Sequence, residues 1–298
     1  LDTYFSMARG YQGEHGDVKA LAMKKWFNTN YHYIVPEVED DTQIKLSGDK
    51  LWNEYDEAEE LGIVTKPIIT GAYTMLKLCR YTGNKSAADY VDDIVKAYKE
   101  LLQTCGKKQI AWVQFDESAL VLDMSDEDKK LFHEIYDALL ACSTDTKILL
   151  QTYFGDIRDI YEDVIKMSFA GIGIDFIEGK QSYELVSKFG FPKDKVLFAG
   201  LVNGKNIWKN HYEKTLSVVN ELADKGIDTV ISTSCSLLHV PYTLENEEKL
   251  SKEYTAYFSF AKEKLVELNE LGKLADKKNY FDDEVYKKNH ELFNGNRN

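Results

Sequence analysis

The chain is short of cysteine, of positive charge and of long apolar runs, and each shortage narrows what it can be. Its four cysteines, Cys79, Cys105, Cys142 and Cys235, are widely spaced and form no CxxC pair. Disulfide frameworks belong to short secreted chains, so this usage points to a reducing, cytoplasmic setting. No apolar run approaches the ~20 residues needed to cross a bilayer, so no membrane association is expected. Residues 1–10 show no basic stretch followed by an apolar one, as a leader would have. There is also no initiator Met, and the first residues read as ordinary folded sequence, so a fragment is expected. Fifty acidic residues stand against 37 basic ones, for a net charge of −13. Such a surface repels a phosphate backbone, which argues against nucleic-acid binding. No GxGxxG follows an early strand, which argues against a dinucleotide-binding fold.

What is present is a long alternation of strand-like and helix-like segments. The 298 residues are 44% hydrophobic and 12% aromatic, enough for a sizeable core. Short apolar runs at 68–70, 110–115, 148–153, 171–177, 196–202 and 229–233 lack in/out alternation, as strands buried on both faces do. Helical patterns separate them. Residues 86–105 space Tyr90, Ile94, Tyr98, Leu101 and Leu102 on one stripe. Residues 126–142 begin with acidic residues that suit a helix start. Residues 212–225 end at Gly226. Strand–helix alternation implies a parallel sheet wrapped by helices. A barrel and an open doubly wound sheet both fit. The expected fold class is α/β, a (β/α)8 TIM-type barrel across 1–298. Closure needs eight strands and six are clear. Residues 31–35 (YHYIV) are a seventh candidate or a hairpin arm, so the barrel is expected to lack its first one or two strands. Residues 1–60 read as an aromatic N-terminal extension and 245–298 as C-terminal helices. Among these, a long helix is expected over 245–271 with Gly272 as its stop, and a shorter one over 282–293. Residues 294–298 are expected to fray.

In such folds the functional groups sit at the carboxyl ends of strands. Asp116 and Glu117 follow the 110–115 run, and adjacent carboxylates there point in different directions. One could act as acid, base or ligand anchor, against a plain loop or cap role. Glu178 ends the 171–177 run. Cys235 and His239 are four apart, but no further Cys or His completes a zinc set, so Cys235 reads as a small buried thiol or a lone nucleophile. Lys24 and Lys25 sit beside an aromatic cluster; they could hold an anion near stacking rings, or form a solvated helix face. Residues 203–208 (NGKNIW) could present backbone N–H groups to an anion, or make a tight turn over a buried indole.

Taken together, several segments resemble the cobalamin-independent methionine synthase family. They are YFSMARG (4–10), MKKWFNTNYHYIVPE (23–37), TKPIITGAYT (65–74), VQFDESALVLD (113–123), QTYFGD (151–156), GIGIDF (171–176), GLVNGKNIW (200–208) and STSCSLLHVPYTLENE (232–247), in the family's order. The resemblance implies two barrels, of which this chain is similar to the amino-terminal one. It also implies methyl transfer from 5-methyltetrahydropteroyltri-glutamate to homocysteine. Zinc is then expected in the carboxy-terminal barrel, held by His, two Cys and Glu, and no catalytic or metal-binding residue in this chain. Where a His-x-Cys element would stand, the chain has Gln151-Thr152-Tyr153, while Glu178 and Cys235 remain as partial echoes. Lys25 matches a family lysine that faces the glutamate tail of the folate. The family usually has Gly-Pro at Gly71-Ala72, Asp-Glu-Pro at Asp116-Glu117-Ser118 and Asp-Gly-Arg-Asn at 203–206. The expected function is therefore a folate-binding, scaffolding domain, inactive alone, whose partner is the catalytic barrel of the same protein. Two rival readings are a stand-alone barrel hydrolase or lyase using strand-end carboxylates, and a non-catalytic interaction protein.

Overall fold

A computed structural model describes residues 2–14 and 16–295. The chain divides into two compact units, Leu1–Ile148 and Leu149–Asn298.

The first unit opens with small elements. Helix α1 (Asp2–Arg9) precedes an antiparallel hairpin of β1 (Tyr11–Gly13) and β2 (Gly16–Val18). A second hairpin pairs β3 (Met23–Lys25) with β4 (His32–Ile34). Residues 31–35 are thus a hairpin arm rather than a seventh barrel strand. Lys24 and Lys25 lie on a strand, not on a helix face. Then come β5 (Glu37–Val38), α2 (Lys50–Glu60), β6 (Ile68–Thr70), α3 (Ala72–Leu78) and β7 (Arg80–Tyr81), with β5 and β7 parallel. Helix α4 (Val91–Lys107), β8 (Trp112–Asp116) and α5 (Asp126–Leu140) complete the unit.

Local chemistry explains the two long helices. Ser125 accepts from the Asp128 N–H while the Asp128 carboxylate accepts from the Ser125 N–H, a capping box that satisfies donors the helix leaves open. From there Leu131, Phe132, Ile135, Tyr136 and Leu139 form one buried stripe. In α4 the stripe is Ile94, Val95, Tyr98, Leu101, Leu102 and Cys105. Strand β8 pairs in parallel with β6, and the rings of Tyr98 and Tyr136 converge on Phe115 from α4 and α5. Burying each such side chain contributes about 1.5–3 kcal/mol.

The second unit is built on parallel strands. Strand β9 (Lys147–Gln151), which begins at the division, is followed by α6 (Tyr161–Val164), β10 (Gly171–Asp175), α7 (Ser182–Phe189), β11 (Val196–Val202), α8 (Tyr212–Asp224) and β12 (Thr229–Thr233). The order β9-β10-β11-β12 is parallel throughout. Every residue of β10 is buried, as expected of a strand covered on both faces. Helices α9 (Lys252–Thr255), α10 (Ala261–Ala275) and α11 (Glu284–Asn294) close the chain. Val202, Tyr212, Leu216, Leu271, Leu274 and Tyr286 form one buried cluster joining β11, α8, α10 and α11.

The six expected strands and helices α5 and α8 follow the sequence expectations to within two residues, while α4 starts at Val91, five residues after the expected start, behind a 3-10 turn at Ala87–Tyr90; the α/β class holds. The carboxy-terminal region departs from them. The single helix expected over 245–271 is broken: a four-residue α9 is followed by extended chain, and α10 starts only at Ala261. The break has a cause. The Ser259 N–H donates to Ile207 O (2.7 Å) and the Lys209 N–H to Tyr257 O (2.8 Å), so the Tyr257 carbonyl and the Ser259 N–H pair with another segment, while the N–H groups of Tyr257 and Phe258 close a tight turn onto Tyr254 and Thr255. Gly272 does not stop α10, which runs through it to Ala275. Asp283 caps α11 by accepting from the Val285 N–H. The expected fraying concerned 294–298; Asn294 is helical, and 296–298 lie outside the described residues. No helix among the described residues is long and apolar enough to cross a membrane.

Candidate functional site

Each unit gathers polar side chains at the carboxyl ends of its strands. In the first unit the sequence candidates Asp116 and Glu117 diverge, as their adjacency requires. Asp116 ends β8 and accepts from Gln114 Nε2 at 2.7 Å. Glu117 turns inward and is fully buried. Its Oε1 accepts from the Tyr73 N–H (2.9 Å) and from the Tyr136 hydroxyl. Its Oε2 accepts from the Thr74 N–H (2.7 Å) and the Thr74 hydroxyl (2.5 Å). Thr74 Oγ1 in turn accepts from the Ala119 N–H at 3.0 Å. Glu117 therefore satisfies the open donors at the start of α3 and ties that helix to the turn after β8. Burial pushes its carboxyl up to about 7, opposed by the hydrogen bonds from Thr74, Tyr136 and Tyr73. Gly71 makes room for this: a Cβ there would lie 2.1 Å from Glu117 Cδ.

Lys25 is the last residue of β3, exposed, opposite His32 in the hairpin register. The Trp26 ring beside it meets the edges of Phe27 and Tyr33 at 5.0 and 5.7 Å. The turn between the arms is tight. Phe27 has φ = 50°, Thr29 donates through its N–H and its hydroxyl to Trp26 O, and the Trp26 N–H donates to Tyr31 O. A non-glycine residue in that left-handed region is uncommon and marks a turn held by its surroundings.

In the second unit the structure brings Glu178 and Cys235 into one cluster, with three residues the sequence reading did not select. The first is Asp175, buried at the end of β10. It accepts from the N–H groups of Phe154 (3.0 Å), Ile177 (2.8 Å) and Glu178 (2.9 Å). Burial raises its carboxyl to about 6 despite those bonds. The second is Lys205, whose Nζ contacts both Glu178 oxygens at 2.8 and 3.1 Å and sits 5.2 Å from the Phe154 ring centroid. The third is Phe154 itself, at φ = 75°, with its ring 5.5 Å from that of His239. Asp175 carried a signal, an acidic residue closing an otherwise apolar run. Phe154 carried none, because its strain comes from tertiary contacts.

The turn after β11 is positioned by its own side chains. Asn203 Oδ1 accepts from the N–H groups of Lys205 (2.8 Å) and Asn206 (3.1 Å), an Asx turn that aims Lys205 at Glu178. Gly204 lies flat on Cys235, where a Cβ would come within 2.5 Å of the Cys235 carbonyl oxygen. These donors are committed within the turn rather than to an anion, and Trp208, a buried indole in the tight-turn reading, is 54% exposed.

The cluster does not fit a zinc ion. Burial pushes the Cys235 thiol up to about 12, and a four-ligand site would need further donors beside it. Glu178 is held by Lys205, and the His239 ring packs on Phe154. No group of three His, Cys, Asp or Glu among the described residues could hold a metal. A protonated thiol and a carboxylate locked to an ammonium also make a poor nucleophile and a poor base. In the first unit Glu117 is sealed under α3, away from any substrate. The rival reading of a stand-alone hydrolase or lyase thus finds its carboxylates occupied.

Relatives agree over the entire chain. A 5-methyltetrahydropteroyltriglutamate–homocysteine methyltransferase of Lactococcus lactis subsp. lactis is 52% identical over 297 residues, which is 100% of this chain and 39% of that protein. One of Campylobacter jejuni subsp. doylei is 50% identical over 293 residues, or 98% of this chain and 39% of that protein. The chain thus spans about two-fifths of the length of the curated relatives it matches. Among solved structures, a B12-independent methionine synthase from Shewanella sp. W3-18-1 in complex with selenomethionine matches with a TM-score of 0.62 at 14% identity, covering 85% of this chain and 73% of that one. A putative vitamin-B12-independent methionine synthase from Listeria monocytogenes gives 0.58 at 15% identity, covering 80% and 72%. These two likenesses speak to the fold alone. The family profile described as the cobalamin-independent synthase N-terminal domain matches residues 1–227. With identity near one half along its whole length, the chain belongs to the amino-terminal-domain family of the cobalamin-independent methionine synthases.

Proposed function

We propose that this chain is the folate-binding and scaffolding half of an enzyme that moves a methyl group from 5-methyltetrahydropteroyltriglutamate to homocysteine. The observation that carries the proposal is identity of about one half, over the full chain, to proteins named for that reaction. The strand-end chemistry supports the division of labour. Burial raises the proton affinity of the thiol, Glu178 is paired with Lys205, and no group of three His, Cys, Asp or Glu able to hold a metal occurs among the described residues. The zinc that would activate homocysteine belongs, in this proposal, to the carboxy-terminal domain of the same protein, in the cytoplasm. The fold is a (β/α)8 barrel, which the six strands at 68–70, 112–116, 147–151, 171–175, 196–202 and 229–233 would complete with two more.

Lys25 is the folate contact. It is exposed at the end of a hairpin stiffened by Trp26 and Tyr33, so its ammonium is presented on a rigid base. A glutamate tail carries several carboxylates, and an ammonium pairs with them through charge-assisted hydrogen bonds. Losing one such contact costs about tenfold in affinity, the equivalent of ~1.4 kcal/mol. Lys25→Ala should weaken the triglutamate form of methyltetrahydrofolate by that factor and leave the monoglutamate form nearly unchanged. Calorimetric titration with both forms checks this, and equal losses for the two would remove Lys25 from the role.

A further inference from the structure

Asparagine followed by glycine occurs twice in the chain, at 203–204 and 294–295. The pair is chemically labile, because glycine puts no side chain between its own nitrogen and the asparagine amide. That nitrogen can attack Cγ only when it is free of its hydrogen bond and the asparagine side chain can swing over it. The two pairs differ in both respects. The Gly204 N–H donates to Ser234 Oγ at 3.1 Å inside the fold. Asn203 Oδ1 is pinned by the N–H groups of Lys205 and Asn206, and Gly204 is wedged against Cys235. Asn294, by contrast, is the exposed last residue of α11, and Gly295 beside it is exposed as well. The Gly295 N–H donates to Glu291 O at 2.8 Å, and Asn294 Nδ2 donates to Glu213 Oε2 at 3.1 Å. Both bonds lie at the surface in the last turn of a helix, where local opening costs least. Glycine is also enforced there, since a Cβ at 295 would lie 2.5 Å from the Glu291 carbonyl oxygen.

We propose that Asn294 is a site of spontaneous deamidation, that the reaction releases the last turn of α11 from α8, and that the fold keeps Asn203 unreactive. The Gly295 nitrogen attacks Asn294 Cγ. The N–Cγ bond forms, the Cγ–Nδ2 bond breaks, and Nδ2 leaves as ammonia with the proton that the Gly295 nitrogen gives up. Water then opens the resulting succinimide at either carbonyl, to aspartate or to isoaspartate. Either product replaces an amide that donates to Glu213 with a carboxylate that repels it. The new charge also sits at the negative end of the α11 dipole. Glu213 keeps His290 Nε2 at 3.7 Å, so α11 stays anchored one turn earlier. The part that comes loose includes Phe293, whose ring stacks on His211 at 4.6 Å. Isoaspartate in addition lengthens the backbone by a methylene, which ends the helix before it.

The test incubates the folded 298-residue chain in mildly alkaline buffer. Both sites are followed by the mass of their tryptic peptides, 289–297 and 196–205, and by labelling with a protein-isoaspartate methyltransferase. Asn294 should convert at least about tenfold faster than Asn203, the ratio that a modest difference in local opening produces. In concentrated urea the two should convert at similar rates, since only the folded structure separates them. Asn294→Gln should abolish conversion at that position while keeping the amide that meets Glu213. Asn294→Asp installs the product charge, and amide exchange over 290–295 should be about tenfold faster in it than in Asn294→Gln. Asn203 converting as fast as Asn294 in the folded chain overturns the protection. No conversion at Asn294 overturns the site, and equal exchange in the Asp and Gln variants overturns the release of α11.

Discussion

Glu117 and Asp175 are both carboxylates at strand ends, and both are buried acceptors rather than solvated acids. Their pH behaviour follows from their shifted proton affinities. A folded-state value of about 7 for Glu117 lies above the ordinary carboxyl value of 4.5, so the folded chain holds a proton that the unfolded chain has lost. Stability is highest below about 4.5 for this group and falls as pH rises through about 7, by roughly 2–4 kcal/mol. Asp175 adds a slope of the same sign between 3.8 and about 6. Glu117→Gln should remove the first slope and keep the second. It should also destabilise the chain by about 1–3 kcal/mol at pH 5, because an amide N–H₂ would face buried donors. Urea unfolding of both proteins from pH 4.5 to 8 measures this. An unchanged slope above pH 6 in the variant would show that another group titrates there. The sequence revealed that Asp116 and Glu117 diverge, but not which one is buried. That depends on Tyr73, Thr74 and Tyr136, far away in the chain.

Among the elements, the strands and the two long helices were legible because local signals agreed with the final packing. Ser125 and Asp128 form the capping box of α5, with the acidic first turn and the apolar stripe pointing the same way. Ser125→Ala should cost about 1 kcal/mol, seen as a lower urea midpoint with an unchanged slope; no shift would mean the cap adds nothing to the folded chain. Where elements were misread, distant partners decided the outcome. Residues 245–271 carry a helical stripe, yet Ile207 and Lys209 capture the backbone of Tyr257 and Ser259 and open the helix. The strand pattern of 31–35 was real, but its partner is the neighbouring β3, so it became a hairpin. Periodicity reports which face is buried, not which element it pairs with.

At the scale of the whole molecule, the net charge is −13 and the strand-end carboxylates of Glu117 and Glu178 are held by neighbouring groups. With zinc, homocysteine and methylated folate triglutamate, the 298-residue chain should produce no methionine above the uncatalysed background in a radiolabelled-methyl assay. Measurable turnover would place a reaction centre within these residues and overturn the proposal that the chemistry lies in another domain. The family was legible in the sequence because short segments such as KWFNTNYHY and SCSLLHVP recur in order. The site was only partly legible, because Phe154 and Lys205 gain their roles from contacts that no local pattern encodes.

Gly71 and Glu117 share a space that admits only one of two side chains, with a Cβ at 71 placed 2.1 Å from the Glu117 carboxyl carbon. That fixes the order in which a lineage could alter them. A residue larger than glycine at 71 is tolerable only after position 117 has shortened, and a shortened 117 leaves the N–H groups of Tyr73 and Thr74 seeking another acceptor. Neither position is free to drift alone, so their histories should be read as one.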